Sequence, residues 1–285
     1  MHTFKIKKRS GGYREIYSPS AREKKEFRSY LPYLESLHLS PYAHAFVKHR
    51  NIITNAQHHI RYNISVSFDL SSFFDTVTEK SFKNIAINKD ILYICLVDGA
   101  ARQGIPTSPI LANIAANKMD YTIVKKLNAL FKQKHEFSYT RYADDMTVSF
   151  NDKKNITTVC DIVSKSVEIC GFTLNKKKTR VQFSTNGNRR EICGVTVDNE
   201  IHTSRRFRRR LRAAEHRCLT MVDNYKNTYK QYNTGFETQK FLKISQTSEE
   251  AFISLIKQRE IVKGMQEFAL LKDKSEKVKE HDDRP

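Results

Sequence analysis

Apolar and polar positions alternate most regularly along residues 137–150, which read Phe-Ser-Tyr-Thr-Arg-Tyr-Ala-Asp-Asp-Met-Thr-Val-Ser-Phe. A two-residue period on both sides of a central acidic pair predicts two strands that turn back on each other, with Asp144 and Asp145 at the tip of the hairpin. The same period marks residues 64–70. Ile64, Val66 and Phe68 point one way, and Ser65, Ser67 and Asp69 the other. That second face is small and polar and ends in a carboxylate, which predicts an open, serine-lined floor. Periods of three to four residues mark the helices. Ser20 and Glu23 form a capping box before a helix with Phe27, Tyr30, Leu31 and Leu34 on one side, and Pro32 is placed to kink or shorten it. Ser108 is the expected N-cap and Pro109 the first-turn proline of a long helix to residue 130, whose buried stripe is Leu111, Ala115, Met119, Ile123, Leu127 and Leu130. Residues 155–170 are amphipathic through Ile156, Val159, Val163 and Val167, and Gly171 closes them.

Around these elements the pattern predicts an N-terminal hairpin at Gly11-Gly12, and a short strand from Phe172 that leads into a basic turn. A second hairpin is expected from residues 191–197 and 200–203. Residues 41–62 mix aromatic, basic and His side chains with little periodicity, which reads as a binding surface rather than a packed element. The order strand, helix, hairpin, helix, strand makes the fold class α+β, with helices backing one side of an antiparallel sheet. From Ser204 the character changes. Arg205, Arg206, Arg208, Arg209, Arg210, Arg212 and Arg217 crowd a helix whose apolar stripe is Phe207, Leu211, Ala214 and Cys218, so it packs on one side and offers guanidiniums on the other. Residues 223–247 read as loop-rich and polar, 249–271 as helix again, and 272–285 as a frayed charged tail. The expected domains are a core over 1–203, a basic helical segment over 204–271, and the tail.

Composition sharpens this picture. Lys plus Arg number 50 against 31 Asp plus Glu, a formal charge of +19, and a chain this basic repels itself unless it meets a polyanion such as nucleic acid. With 39% hydrophobic and 28% charged residues the 285-residue chain has enough apolar surface for a real core. No run of about 18 apolar residues predicts a membrane span. The start lacks the apolar core of a secretion signal, so the expected location is the cytoplasm. Cys95, Cys160, Cys170, Cys193 and Cys218 form no Cys-x-x-Cys pair and read as reduced residues, not as a disulfide framework or zinc site.

The candidate chemistry comes from the carboxylates. Two divalent cations about 3.5–4 Å apart stabilise both oxygens of an in-line phosphoryl displacement, and hard ions need several carboxylates on rigid adjacent elements. Asp69 ends one strand and Asp144-Asp145 cap the hairpin expected beside it. No nucleophile elbow, Walker loop or zinc signature competes with them.

Tyr142-Ala143-Asp144-Asp145 resembles the catalytic motif of reverse transcriptases, and five other blocks follow that family's order and spacing. Phe68-Asp69-Leu70 with Phe73-Phe74-Asp75 resembles the first metal-binding motif. Gln103-Gly104-Ile105-Pro106-Thr107-Ser108-Pro109 resembles the Gln-Gly motif under the nascent base pair, although Ala101-Arg102 stands before it where Leu-Pro is more usual. Gly171-Phe172-x-Leu174-Asn175-x-x-Lys178-Thr179 resembles the lysine motif, Ile192-Cys193-Gly194 the next block, and Tyr13-Arg14-Glu15-Ile16 the fingers motif. Within the family, Asn55-Ala56-Gln57-His58-His59 matches the Asn-Ala-x-x-His signature of bacterial retron reverse transcriptases. The later retron block Val-Thr-Gly is here Ile-Cys-Gly.

The resemblance implies a right-hand polymerase fold with fingers, palm and a mainly helical thumb. It makes Asp69, Asp144 and Asp145 the catalytic metal ligands for two magnesium ions, or manganese in their place, with the Leu70 carbonyl as a helper. Phe74 stands where the family has a steric gate against the ribose 2′-hydroxyl. Gln103 and Gly104 stand against the templating pair, and Arg14 and Lys178 beside the triphosphate. Asn55, Ala56, His59 and Arg205, Arg206, Arg208, Arg209, Arg210 and Arg212 become RNA-binding candidates. The implied activity is copying of a cognate structured non-coding RNA into single-stranded DNA from an RNA 2′-hydroxyl, giving a branched RNA–DNA product (msDNA). The implied partners are that RNA, its DNA product, deoxynucleotides and an effector protein of an antiviral defence system. A stand-alone bacterial reverse transcriptase of another lineage, group II intron-like, and an RNA-binding scaffold without catalysis stay open as alternatives.

Overall fold

The computed structural model describes residues 1–8, 11–133, 135–184, 189–232 and 260–266. The chain divides into two units, Met1–Ile201 and His202–Pro285. In the first unit β1 (His2–Lys7) and β2 (Tyr13–Ser18) pair as an antiparallel ribbon, with Gly11 and Gly12 at positive φ in the turn. α1 (Ala21–Ser29) begins at a capping box: Ser20 Oγ accepts from the Glu23 N–H at 3.3 Å, and Glu23 Oε2 accepts from the Ser20 N–H at 2.7 Å. It stops at Tyr30. α2 (Leu31–Ser36) then resumes with Pro32 in its first turn, where a missing N–H costs nothing, so the proline splits the helix rather than bending it.

α3 (Ile52–Gln57) is capped by Asn51 Oδ1, which accepts from the Ile53 and Thr54 N–H groups. The segment around it is packed only in part: Phe46, Lys48, His49 and Arg61 are exposed, whereas the binding surface expected for 41–62 does not extend to its buried side chains. Ala43, His44, Ala45, Asn55, Ala56, His59 and Tyr62 are all buried. Arg50 supports this irregular stretch: its guanidinium donates to the carbonyls of Ser40, Pro41 and Ala43, so these backbone groups find internal partners without a helix or strand.

β3 (Ile64–Asp69) leads into α4 (Phe73–Thr76) and α5 (Lys89–Cys95), then α6 (Ser108–Leu130). β4 (Phe137–Tyr142) and β5 (Asp145–Phe150) form the expected hairpin, α7 (Ile156–Ile169) follows, and β6 (Arg180–Phe183) completes a four-stranded antiparallel sheet of order β4-β5-β3-β6. The strand expected at Phe172 lies later: Leu174 makes only an isolated bridge to Leu70, and the paired strand comes after the basic turn. The hairpin expected at 191–203 is a three-stranded meander, β7 (Arg190–Ile192), β8 (Val195–Val197) and β9 (Ile201–Thr203). Cys193 and Gly194, both at positive φ, turn the chain inside what the pattern presents as one strand.

One face of the main sheet is apolar through Val66, Phe68, Met146, Val148 and Phe150 and belongs to the core cluster with α6 and α7. Full burial of each such side chain stabilises by about 1.5–3 kcal/mol relative to exposure. The expected stripe of α6 is buried from Leu111 to Leu127, with Leu130 half-buried at its end, and Ile110, Ala112, Ile114 and Ala116 are buried around the rest of its first turns. On the opposite, polar face the sequence predicts an open serine floor. The structure closes its far end: Ser65 and Ser149 are fully buried, joined Oγ to Oγ at 2.7 Å, and Arg190 Nη1 donates to Ser65 Oγ at 2.8 Å.

In the second unit α8 (Arg205–Tyr232) starts at Ser204, whose Oγ accepts from the Phe207 N–H at 3.1 Å. Arg205, Arg206, Arg208, Arg209, Arg210 and Arg212 are all exposed, and Ala214 is buried. The helix runs past residue 223, where a loop was expected, because no Gly or Pro interrupts the chain before Gly235. A helical stretch at 260–266 meets it through Gln266 Nε2, which donates to Glu215 Oε1 at 3.0 Å. The expectations for 233–247, for the rest of the 249–271 helix and for the 272–285 tail fall outside the described residues. Among the described residues no helix is long and apolar enough to cross a membrane, and all five cysteines are free.

Candidate active site

β4 and β5 are joined by Ala143 and Asp144 alone, with Tyr142 opposite Asp145. A loop this short needs positive φ to match the twist of the strands, and Ala143 adopts φ 57°. Asp69, the last residue of β3, is the register partner of Asp145. The backbone clamps this corner: the Leu70 N–H donates to the Asp144 carbonyl at 3.0 Å, and the Asn175 N–H to the Asp69 carbonyl at 2.8 Å. The three carboxylates singled out in the sequence therefore meet at one end of the sheet. Leu70 itself is buried.

The charges there are only partly compensated, by Lys178 and Arg14. Desolvation, then the neighbouring Asp144 and Asp69 carboxylates, push Asp145 up to about 6, although its edge meets solvent. Asp144 is raised by desolvation and by Asp69, against the pull of its own backbone and of Lys178 and Arg14. Lys178, in the 3-10 turn Lys176–Lys178, places Nζ 2.7 Å from Asp69 Oδ1, and this hydrogen bond raises the lysine. Under that contact Asp69 is only 7% exposed, where the sequence reading expects it open. The donor chemistry of three hard oxygen groups fits divalent cations, and an ammonium held on one of them shows the corner accepting positive charge. Among the described residues no group of three or more Asp, Glu, His or Cys side chains is arranged so that it could hold a metal ion as it stands.

Phe74 is half-buried in α4, its ring 6.4 Å from Phe46 and 5.7 Å from Phe73. The Gln103 carbonyl accepts from the Tyr17 N–H at 2.8 Å, which ties the Gln-Gly turn to β2. Gly104 has φ 102°, and a Cβ there would overlap the Tyr17 carbonyl oxygen. Its glycine requirement therefore comes from β2, in addition to any approach by a base pair. Gly104→Ala is expected to lower stability by at least the roughly 1–3 kcal/mol of such backbone strain, read as a reduced melting temperature. An unchanged melt would contradict this packing. Ser108 does not cap α6. Thr107 occupies that position, and Ser108 Oγ instead accepts from the Arg102 N–H at 2.9 Å, holding the same turn. Arg14 is exposed on β2, near enough to Asp144 to pull on its carboxyl.

The RNA-binding candidates divide. Asn55, Ala56 and His59 are 1%, 0% and 0% exposed, so they brace the sheet instead of presenting to solvent. His59 bridges Ser149 Oγ and Thr140 Oγ1, each at 2.8 Å, and burial keeps its imidazole neutral. Asn55 Nδ2 donates to Cys193 Sγ at 3.7 Å. Burial, then the Asp145 and Asp144 charges, push the Cys193 thiol up to about 12, which puts this turn beside the acidic corner. The two retron-signature blocks thus touch each other.

Sequence reasoning passed over the ion pair behind the hairpin. Arg141 and Asp120 are wholly buried and bonded two-fold, Nε to Oδ1 and Nη2 to Oδ2, each at 2.9 Å. The Tyr139 hydroxyl donates to Asp120 at 2.8 Å, and Arg141 Nη1 donates to Asn113 Oδ1 and to the Ala143 carbonyl at the turn. The signal was present: Asp120 lies within the apolar stripe, four residues after Ala116 and three before Ile123.

A family model described as reverse transcriptase (RNA-dependent DNA polymerase) matches residues 6–202. The retron Mx65 reverse transcriptase of Myxococcus xanthus is 32% identical over 241 residues, 75% of this chain and 55% of the relative. The retron Ec73 reverse transcriptase of Escherichia coli is 31% identical over 219 residues, 69% of this chain and 68% of the relative. The chain spans 55% and 59% of the lengths of the Mx65 and Escherichia coli Ec86 relatives. A structure of apo telomerase from Candida tropicalis is 14% identical with a TM-score of 0.48, covering 71% of this chain and 48% of that one. With the acidic corner and the Gln-Gly turn both inside the matched span, the chain belongs to the reverse transcriptase family and, within it, to the retron reverse transcriptases.

Proposed function

We propose that this protein is an RNA-directed DNA polymerase that copies part of a cognate structured RNA into single-stranded DNA, primed from an RNA 2′-hydroxyl, within a retron anti-phage defence system. The observation that carries the reading is the register of Asp69 against Asp145 with Asp144 in the adjoining turn, in a chain of this family. Two divalent cations bound by Asp69, Asp144 and Asp145, with the Leu70 carbonyl as a helper, would neutralise charge on the attacking and leaving oxygens. The residues supply the rest. Lys178, already drawn to the acidic corner, neutralises or protonates the departing pyrophosphate, and Arg14 adds positive charge on the side of the triphosphate. The Phe74 ring blocks a ribose 2′-hydroxyl. Gln103 and Gly104 set the floor beneath the new pair, held by β2. Asn55 and His59 act by holding α3 on the polar face. The exposed arginines of α8 suit the phosphates of an A-form duplex recognised by shape, as a thumb over 204–271 would.

Purification from the native host, followed by RNase and DNase digestion of the bound nucleic acid, tests the reading. A short DNA that stays joined to RNA by a branch is expected. Bound RNA without any DNA would favour the scaffold alternative, and linear DNA on a conventional primer would favour another lineage.

A further inference from the structure

Arg102 stands where the reverse transcriptase pattern has proline, and its side chain joins three segments. Nε donates to the Val97 carbonyl at 3.1 Å, Nη2 to the Asp98 carbonyl at 3.1 Å, and Nη1 to Asp75 Oδ1 at 2.9 Å. The guanidinium also lies over the Tyr17 ring, 5.6 Å from its centroid, and the Tyr17 hydroxyl donates to Asp98 Oδ2 at 2.9 Å. One side chain thus touches β2, the 97–98 turn and α4. Proline could make none of these hydrogen bonds.

The consequence falls on Phe74. α4 is a single turn that starts at Ser72, at φ 49° and without a side-chain cap, and one isolated turn has little stability of its own. Its other end is tied to residues 97–102, through the Ala101 N–H on the Val77 carbonyl at 2.9 Å and through the Arg102–Asp75 pair. Asp75 is the next residue after Phe74, so the pair fixes the backbone that aims the ring. We propose that Arg102 is a positioning residue for the nucleotide-selecting ring, so that preference for deoxynucleotides in this protein depends on the Arg102–Asp75 pair. The inference rests on the polymerase reading and on Phe74 as the gate.

Single-nucleotide incorporation, measured with deoxynucleotides and with ribonucleotides, tests it in Phe74→Val, Arg102→Met, Arg102→Lys and Asp75→Asn. Phe74→Val supplies the reference for lost selection. Arg102→Met keeps an unbranched apolar stem without donors and is expected to lower the deoxy-to-ribo ratio of kcat/KM about 10-fold, since misplacement by an ångström has effects of this order or larger. Most of the loss should be a higher KM for deoxynucleotides. Asp75→Asn, at a half-exposed carboxylate that the core does not need, should reproduce the direction, and Arg102→Lys should restore part of the ratio. Equal losses for both nucleotides, or a wild-type ratio in Arg102→Met and Asp75→Asn while Phe74→Val relaxes, would overturn the role of Arg102. An unaltered ratio in Phe74→Val overturns the gate and this inference with it. A wild-type protein that incorporates nothing overturns the polymerase reading itself.

Discussion

Asp144→Asn is expected to abolish magnesium-dependent deoxynucleotide incorporation while leaving the fold intact. The substitution keeps the size of the side chain and removes its charge. Asp144 contributes its backbone carbonyl, not its carboxylate, to the hydrogen bond with the Leu70 N–H, so the corner keeps its clamp. Its carboxyl is already raised by desolvation and by Asp69, so loss of its charge relieves repulsion in the cation-free protein, and stability should hold or rise slightly. Activity should fall by at least about 10²–10³-fold, the scale of removing one electrostatic stabiliser of transition-state charge. Primer extension on an RNA template, paired with a denaturant melt, separates the two. Retained extension would remove Asp144 from the chemistry, and a large loss of stability would assign it a structural task instead.

The second large effect lies behind the hairpin. Asp120→Ala leaves the Arg141 guanidinium at 0% exposure without its counter-charge, and it removes the acceptor of the Tyr139 hydroxyl. Breaking a buried pair from one side costs about 3–5 kcal/mol. The damage should also reach the turn, because Arg141 bonds the Ala143 carbonyl next to Asp144. A urea titration should show the midpoint lowered accordingly, with incorporation reduced even where the protein stays folded. A cost under about 1 kcal/mol would mean that Arg141 finds water or another acceptor, contrary to its burial.

The parts of this molecule that follow from short-range pattern could be read in the chain. The alternation at 137–150, the capping box at Ser20 and the α6 stripe reappear as β4–β5, α1 and a buried helix, because each depends on spacing alone. The three carboxylates were legible for the same reason, as two strand ends with acidic residues. Contacts between distant segments were not legible. Nothing in residues 41–62 shows that Arg50 satisfies carbonyls there or that His59 will find Ser149 and Thr140, so the packed half of the segment read as surface with the rest. Ser65 reads as exposed because a serine face has room, yet Arg190, 125 positions away, fills it. Likewise Lys178 covers Asp69 from 109 positions away, a pairing that only the folded sheet creates.

Asp69, Asp144 and Asp145 are expected to act together as one site for divalent cations. Titration with Mn2+, followed by the loss of the free-ion paramagnetic resonance signal, measures this directly on the wild-type protein and on Asp69→Asn, Asp144→Asn and Asp145→Asn. The wild type should take up the ion, and each of the three substitutions should weaken that uptake. Binding that is the same in all four proteins would contradict a shared site at these three carboxylates.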